Sequence, residues 1–257
     1  MKFALTPLLL ATALLTAPLA TAEEENRYDI LSKMLLPFLN VVVKTTTNPN
    51  RAMQLTASLE QMTNVPPAFI GSKAELALQY PDKVRLHGPI FGEDAIVCRH
   101  GQEVWAYPAS KLRPLLEAAA KAKKLPKLDP KAQFEPFGLP IPEKQLVFLP
   151  ALFQIKDVGT ESLGGEPCRV LDLFLMPELV KSLKTSNWAA RVWARPDNRP
   201  ARLSVAKPGW NVVVRFQQVD FSPTLPDSTW QPTPEQAGDL LTLDAPHYQQ
   251  LLEALVQ

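Results

Sequence analysis

Three histidines, two cysteines and a few clustered carboxylates are the side chains here that could carry proton transfer, nucleophilic attack or metal binding. His87, His100 and His247 lie far apart and have none of the short spacings that gather ligands around zinc. There is no G-x-S-x-G elbow and no glycine-rich phosphate loop. His100 precedes Gly101 in a polar turn, where a turn residue is a simpler role than a base. The carboxylate runs Glu93-Asp94 and Glu23 to Glu25 fall at a turn and close to the start of the chain, where solvation accounts for them. A secreted hydrolase would need a histidine, a carboxylate and a nucleophile to converge from distant segments. Nothing in the spacing proposes a reaction, a metal or a cofactor, so a non-enzymatic role is expected. Cys98 and Cys168 can pair in an oxidising compartment, or remain separate thiols that pack as small apolar residues.

The elements that position these residues are mostly strands. Leu55, Ala57 and Leu59 alternate with Thr56, Ser58 and Glu60 between Arg51 and Met62. Leu76, Leu78 and Tyr80 alternate with Glu75, Ala77 and Gln79 in a run taken from Ala68 to Tyr80 after a turn at Val65-Pro66-Pro67. Lys83 to Ile90, Ile96 to Cys98 and Val104 to Tyr107 follow, the last two as a hairpin about His100-Gly101. Further strands are expected at Phe153 to Ser162, Cys168 to Leu175, Trp188 to Ala194, Ala201 to Ala206 and Asn211 to Phe221, for a total of about ten. A Gly164-Gly165 turn and an Arg195-Pro196-Asp197-Asn198 turn separate four of them.

Helical spacing occurs in fewer places. Ile30, Leu31, Met34, Leu35, Phe38 and Leu39 suit a helix from Arg27 to Lys44 that Pro37 should kink. It can plug a curved sheet or serve as ordinary core packing. Ser110 is a candidate cap for a helix presenting Leu112, Leu115, Leu116 and Ala119, with Pro114 tolerated only in its first turn. Five prolines between Leu125 and Pro142 then give an extended, exposed and mobile loop carrying Phe134, Phe137 and Ile141. Met176 to Lys184 reads as a short helix. Another begins at Asp244 or Ala245 and carries Tyr248, Leu251, Leu252 and Leu255.

The opening residues to Ala22, with Lys2 before an apolar run and Ala20-Thr21-Ala22 at its end, have the form of a signal peptide cleaved after Ala22. Pro7 and Pro18 argue against a retained anchor. A soluble exported protein, residues 23–257 in one domain, is the expectation. Without Lys2 the 27 basic side chains become 26 against 26 acidic ones, which leaves no overall field to recruit nucleic acid. Proline, at 26 residues, is about twice its usual share of roughly 5% and favours short strands with rigid turns. Residues 111–131 hold seven basic and two acidic side chains. They can contact anionic headgroups or an acidic partner, or form a solvated helix face.

Pro81, Asp82 and Lys83, then Ile96, Val97, Gly101, Trp105, Tyr107 and Pro108, give a strand, a Tyr-Pro-Asp-Lys turn, a strand and I-V-x-x-x-G-x-x-V-W-x-Y-P. In order and spacing this resembles the LolA-like periplasmic lipoprotein carriers and the wider outer-membrane lipoprotein-sorting-like family, over roughly Arg27 to Gln236. The resemblance implies an α+β fold: a strongly curved antiparallel half-barrel whose concave face is covered by helices, with a lid-like insertion near 109–150. It also implies an apolar cavity for an acyl chain or a lipidated protein. Inward residues would then include Leu55, Leu59, Leu76, Leu78, Tyr80, Leu86, Ile96, Leu171, Leu173, Leu203 and Val214. Period-2 alternation serves a filled core equally well, so the cavity rests on the resemblance. In the LolA-like carriers an arginine commonly stands before the turn proline and helps hold the lid closed; Tyr80 takes that place here. The implied function is a periplasmic lipid or lipoprotein carrier between envelope membranes. The alternative is an envelope regulatory or scaffold domain of the same fold that recognises proteins through its outer surface.

Overall fold

The computed structural model describes residues 22–43, 51–90, 92–122, 125–138, 143–183 and 187–256. Nearly all of the segment read as a signal peptide, Lys44 and Ile141 lie outside them. The strands are β1 (Ala52–Met62), β2 (Lys73–Gln79), β3 (Lys83–Ile90), β4 (Glu93–His100), β5 (Glu103–Tyr107), β6 (Phe153–Leu163), β7 (Glu166–Leu175), β8 (Ala189–Ala194), β9 (Pro200–Lys207), β10 (Trp210–Ser222) and β11 (Leu241–Thr242). They form one open, curved antiparallel sheet in the order β11-β5-β4-β3-β2-β1-β10-β9-β8-β7-β6. The architecture is α+β, as expected. Every strand from β2 to β5 and from β6 to β10 pairs with its sequence neighbour, and the long-range β1–β10 pair joins the two series.

Turn chemistry sets most boundaries. Pro66 and Pro67 lack the amide hydrogen that a strand ladder requires, so 67–69 forms a single 3₁₀ turn and β2 begins only at Lys73. This is later than the start expected at Ala68. Gly88 sits where β3 runs closest to β2: an added Cβ would lie 3.1 Å from both Ala74 Cα and Lys73 O. Gly164 and Gly165, at φ +67° and +89°, close the β6–β7 hairpin in the left-handed region that glycine enters without steric cost.

The helices are α1 (Ala22–Val42), α2 (Ala109–Lys121), α3 (Pro177–Leu183) and α4 (Ala245–Val256). In α1, Leu31 and Met34 bury against Ile155, Leu171, Leu173 and Val192. Each such side chain contributes about 1.5–3 kcal/mol. The helix runs on through Pro37, and Phe38 meets Phe221 of β10 edge to face at 5.0 Å. Leu112 of α2, with Tyr248 and Leu251 of α4, buries against Ala95, Val97, Val104 and Ala106.

The start of α2 departs from the sequence expectation. Pro108 is its cap residue, with no side-chain hydrogen bond, and Pro114 lies inside the helix. Ser110 is not the cap; its amide and hydroxyl both donate to the Asp239 carboxylate, at 2.8 and 2.5 Å. A carboxylate from the C-terminal segment therefore occupies the positive end of this helix. At α4, Asp244 does cap, accepting from the His247 amide at 3.0 Å. These bonds hold the Asp244 carboxyl below its usual pKa.

Candidate functional site: an apolar strip between two helix packs

Residues opposite one another in an antiparallel ladder share a face, so the register assigns the apolar side chains. One row runs Val219, Leu55, Leu76, Leu86, Val97, Ala106 across β10, β1, β2, β3, β4 and β5. The next runs Phe221, Met53, Leu78, Val84, Arg99, Val104. Leu59 opposes Val214, which opposes Leu203, which opposes Val192 and Leu171. All of these lie on the face that carries α1, α2 and α4.

Burial along this helix face is uneven. At one side, Val97, Val104 and Ala106 are sealed by α2 and α4; at the other, Leu171, Leu173 and Val192 are sealed by α1. Between them, Leu55, Leu59, Leu76, Leu78, Leu203 and Val214 are only half-buried. Val205 and Val212 continue the strip toward the end of the sheet that holds the β1–β2 and β9–β10 turns. The opposite end is closed, with Met53 and Val219 buried.

The expected inward set therefore divides. Leu55, Leu59, Leu76, Leu78, Leu86, Leu203 and Val214 share the strip and its margins. Leu171 and Leu173 share the face but lie under α1, 0% and 6% exposed, so helix side chains already occupy their surroundings. Ile96 is a correction: alternation in β4 sends Ala95, Val97 and Arg99 to the helix face and Ile96 with Cys98 to the reverse face. There they pack beneath Trp230 and Leu225. Of the two alternatives for the cysteines, the structure has the separate thiols. Cys98 and Cys168 are both free, on strands separated by six others, in different buried clusters. Burial pushes the Cys98 thiol up to about 12, against a smaller lowering by Arg85.

The insertion after α2 closes one end of the strip. Phe134 and Phe137 are half-buried and not splayed into solvent, in contrast to the loose loop expected from the prolines. Phe137 donates its amide to Pro81 O at 2.9 Å and meets the Tyr80 ring edge to face at 6.0 Å. The Arg51 guanidinium stacks on Tyr80, 4.3 Å from its centroid. Arg99, 6% exposed, donates Nη1 to Glu135 O at 2.8 Å and Nε to Gly101 O at 2.9 Å. Its guanidinium stands 5.3 Å from the Phe134 ring, which in turn tilts against Tyr248. Gln250 of α4 donates to Pro126 O. Tyr80 thus serves the insertion as an aromatic platform, and Arg99 is the cation that binds its backbone. Sequence reading missed Arg99, although its place two residues beyond Val97 in an alternating strand marks it as inward.

Other polar groups of interest lie elsewhere. His87 stands between Glu75 and Asp94, at 3.3 and 3.2 Å, and His247 bonds Asp244. His100 ends β4 opposite Lys83 and Glu103. In the 111–131 segment Lys111 pairs with Glu93 at 2.6 Å, which raises its pKa, while Arg113, Lys121, Lys127 and Lys131 are solvated. A groove of about 400 Å³ lies beside α3, lined by Gln154, Phe174 and Trp188, and one of about 330 Å³ lies beside His87. Among the described residues no helix is long and apolar enough to cross a membrane.

No protein-family profile matches the chain, and no curated protein does. Solved structures with a similar fold include the lipoprotein LppX of Mycobacterium tuberculosis, at 11% identity and TM-score 0.44, covering 79% of this chain and 98% of that one. LprF from Mycobacterium bovis is 8% identical at TM-score 0.42, covering 79% and 95%. MucB is 15% identical at TM-score 0.40, covering 82% of this chain and 64% of its own. Similarity at this level assigns neither ligand nor partner.

Proposed function

We propose that this protein is a LolA-like domain that binds an acyl chain, free or attached to a lipidated protein, on the half-buried strip of its helix face, and that it works in the cell envelope as a carrier. The observation that supports this reading is the uneven burial: a continuous apolar surface lies half-exposed between two tightly packed ends. A sheet built only for stability would gain by closing over Leu55, Leu76 and Leu78. Burying a methylene contributes about 0.8 kcal/mol, so an acyl chain laid along this strip gains on the order of 10 kcal/mol before ordering costs. The insertion, pinned by Arg99 and by Phe137 on Tyr80, acts as the lid that such a ligand displaces or slides beneath. Export is supported by the opening segment with Lys2, its apolar run and Ala20-Thr21-Ala22.

Native mass spectrometry of detergent-free protein, with extraction and identification of bound lipid, tests the reading. A stoichiometric lipid adduct is expected, either as purified or after incubation with phospholipid and acylated peptide. Leu78→Arg places a cation in the strip beside its closed end and should remove the adduct. Leu78 is half-buried, so the arginine head can reach water and the fold is kept. A bare mass for the wild type, or an unchanged adduct in Leu78→Arg, would overturn the assignment of this face.

A further inference from the structure

The end of β1 and its connection to β2, QMTNVPPAFIGS from Gln61 to Ser72, contain no charged side chain. Met62 and Ile70 stand 37% and 44% exposed, and Pro66, Pro67 and Ala68 between them are exposed as well. The segment's second half is bonded to itself and to the end of β1. Gly71 N donates to Leu59 O, Leu59 N to Ser72 O, Phe69 N to Pro66 O, Ile70 N to Pro67 O and Ser72 N to Phe69 O. The Ser72 hydroxyl is also held, by Phe69 O, and the two prolines have no amide hydrogen to satisfy. The amides from Phe69 to Ser72 are thus satisfied, which lowers the cost of bringing Ile70 into an apolar environment.

A second feature lies beside it. Thr63 N donates to Asn211 O and Asn211 N to Thr63 Oγ1, which ties the tip to the start of β10. There Trp188 and Trp210 meet edge to face at 5.7 Å, and the Lys207 ammonium stands 4.9 Å from one ring and 5.7 Å from the other. Amphipathic indoles and a lysine next to an uncharged apolar tip are the composition favoured at a membrane–water boundary, with rings at headgroup level and the ammonium near phosphate.

We infer that this end of the sheet docks on the surface of a phospholipid bilayer, with Met62 and Ile70 entering the acyl region and Trp188, Lys207 and Trp210 at headgroup depth. The half-buried strip opens toward the same end through Leu59, Val205 and Val212, so a docked molecule turns its apolar face toward the lipid. That last step rests on the acyl-binding reading; the docking itself does not.

The test is flotation of the purified protein with phosphatidylcholine vesicles at low and high salt, alongside binding of a water-soluble fluorescent fatty acid. The wild type should float with the vesicles at both salt concentrations. The double variant Ala68→Asp/Ile70→Asp, both outside the strand ladder, should lose at least about tenfold in partitioning while its fatty-acid binding and thermal unfolding stay unchanged. Phosphatidylcholine brominated on its acyl chains should quench wild-type tryptophan fluorescence, and quench Trp188→Phe/Trp210→Phe much less. A wild type that does not float, or a double variant that floats equally, overturns the inference. So does flotation that requires anionic lipid, vanishes at high salt and depends on Lys127 and Lys131, because the basic segment would then be the contact. Flotation retained without fatty-acid binding would sink the acyl-binding reading and leave the docking standing.

Discussion

Cys98 Sγ lies wholly buried and donates to Trp230 O at 3.4 Å, the same carbonyl that accepts from Trp105 Nε1 at 3.2 Å. Its pKa is raised from 9.0 to about 12 because the folded protein cannot solvate a thiolate there. The unfolded chain ionises first as pH rises, so Cys98 contributes stability fully below pH 9 and loses it between 9 and about 12. Thermal unfolding followed from pH about 8 to about 10.5 should fall more steeply for wild type than for Cys98→Ala; equal slopes would contradict this account. Neither thiol should react with an alkylating reagent until the chain is unfolded. At this scale the sequence was informative about type and poor about place. Leu76 and Leu78 share one face, whereas Ile96 was given the wrong face, because its hairpin carries apolar residues on both faces and periodicity alone cannot choose between them.

The insertion is the element whose behaviour was least legible. Over the described residues 125–138 the prolines correctly excluded regular structure, but they said nothing of what the aromatic residues among them touch. Phe134 and Phe137 find Arg99, Tyr248 and Tyr80 only once β4, α4 and the β2–β3 turn are in place. Helix α2 shows the same limit, since its capping carboxylate, Asp239, lies 129 residues from Ser110. The insertion should depend strongly on Arg99. Arg99→Met keeps the stem but removes the donors to Gly101 O and Glu135 O, at a cost on the order of 2 kcal/mol. The unfolding midpoint should fall by several degrees, and trypsin should cut after Lys127 and Lys131 faster than in the wild type. An unchanged digestion rate would show that Arg99 does not hold this segment.

For the whole molecule, neighbouring strands in sequence are neighbours in space almost throughout, which is why a meander was legible from turn spacing. Two pairs are exceptions with no local signal, β11 against β5 and, joining the two series, β1 against β10: Ala52 pairs with Ser222 and Leu59 with Val214 across most of the chain. The separation of the two cysteines follows from the latter, because that pair places the β2–β5 and β6–β9 series on opposite sides of the sheet. If an acyl chain lies on the strip, amide exchange should slow most in β1, β2 and β10, whose Leu55, Leu59, Leu76, Leu78 and Val214 flank the seam. Slowing confined to α2 and α4 would place the ligand elsewhere.

The β1–β10 seam also fixes an order of events during biogenesis. The two hairpin series can form from local contacts, but the seam must close a loop of most of the chain, the slow and entropically costly step for such topologies. Because the apolar strip straddles that seam, it does not exist until β10 has arrived. A chain in which β10 has not yet docked therefore lacks the surface proposed here to bind an acyl chain, and under that reading competence to bind is acquired only at the end of folding.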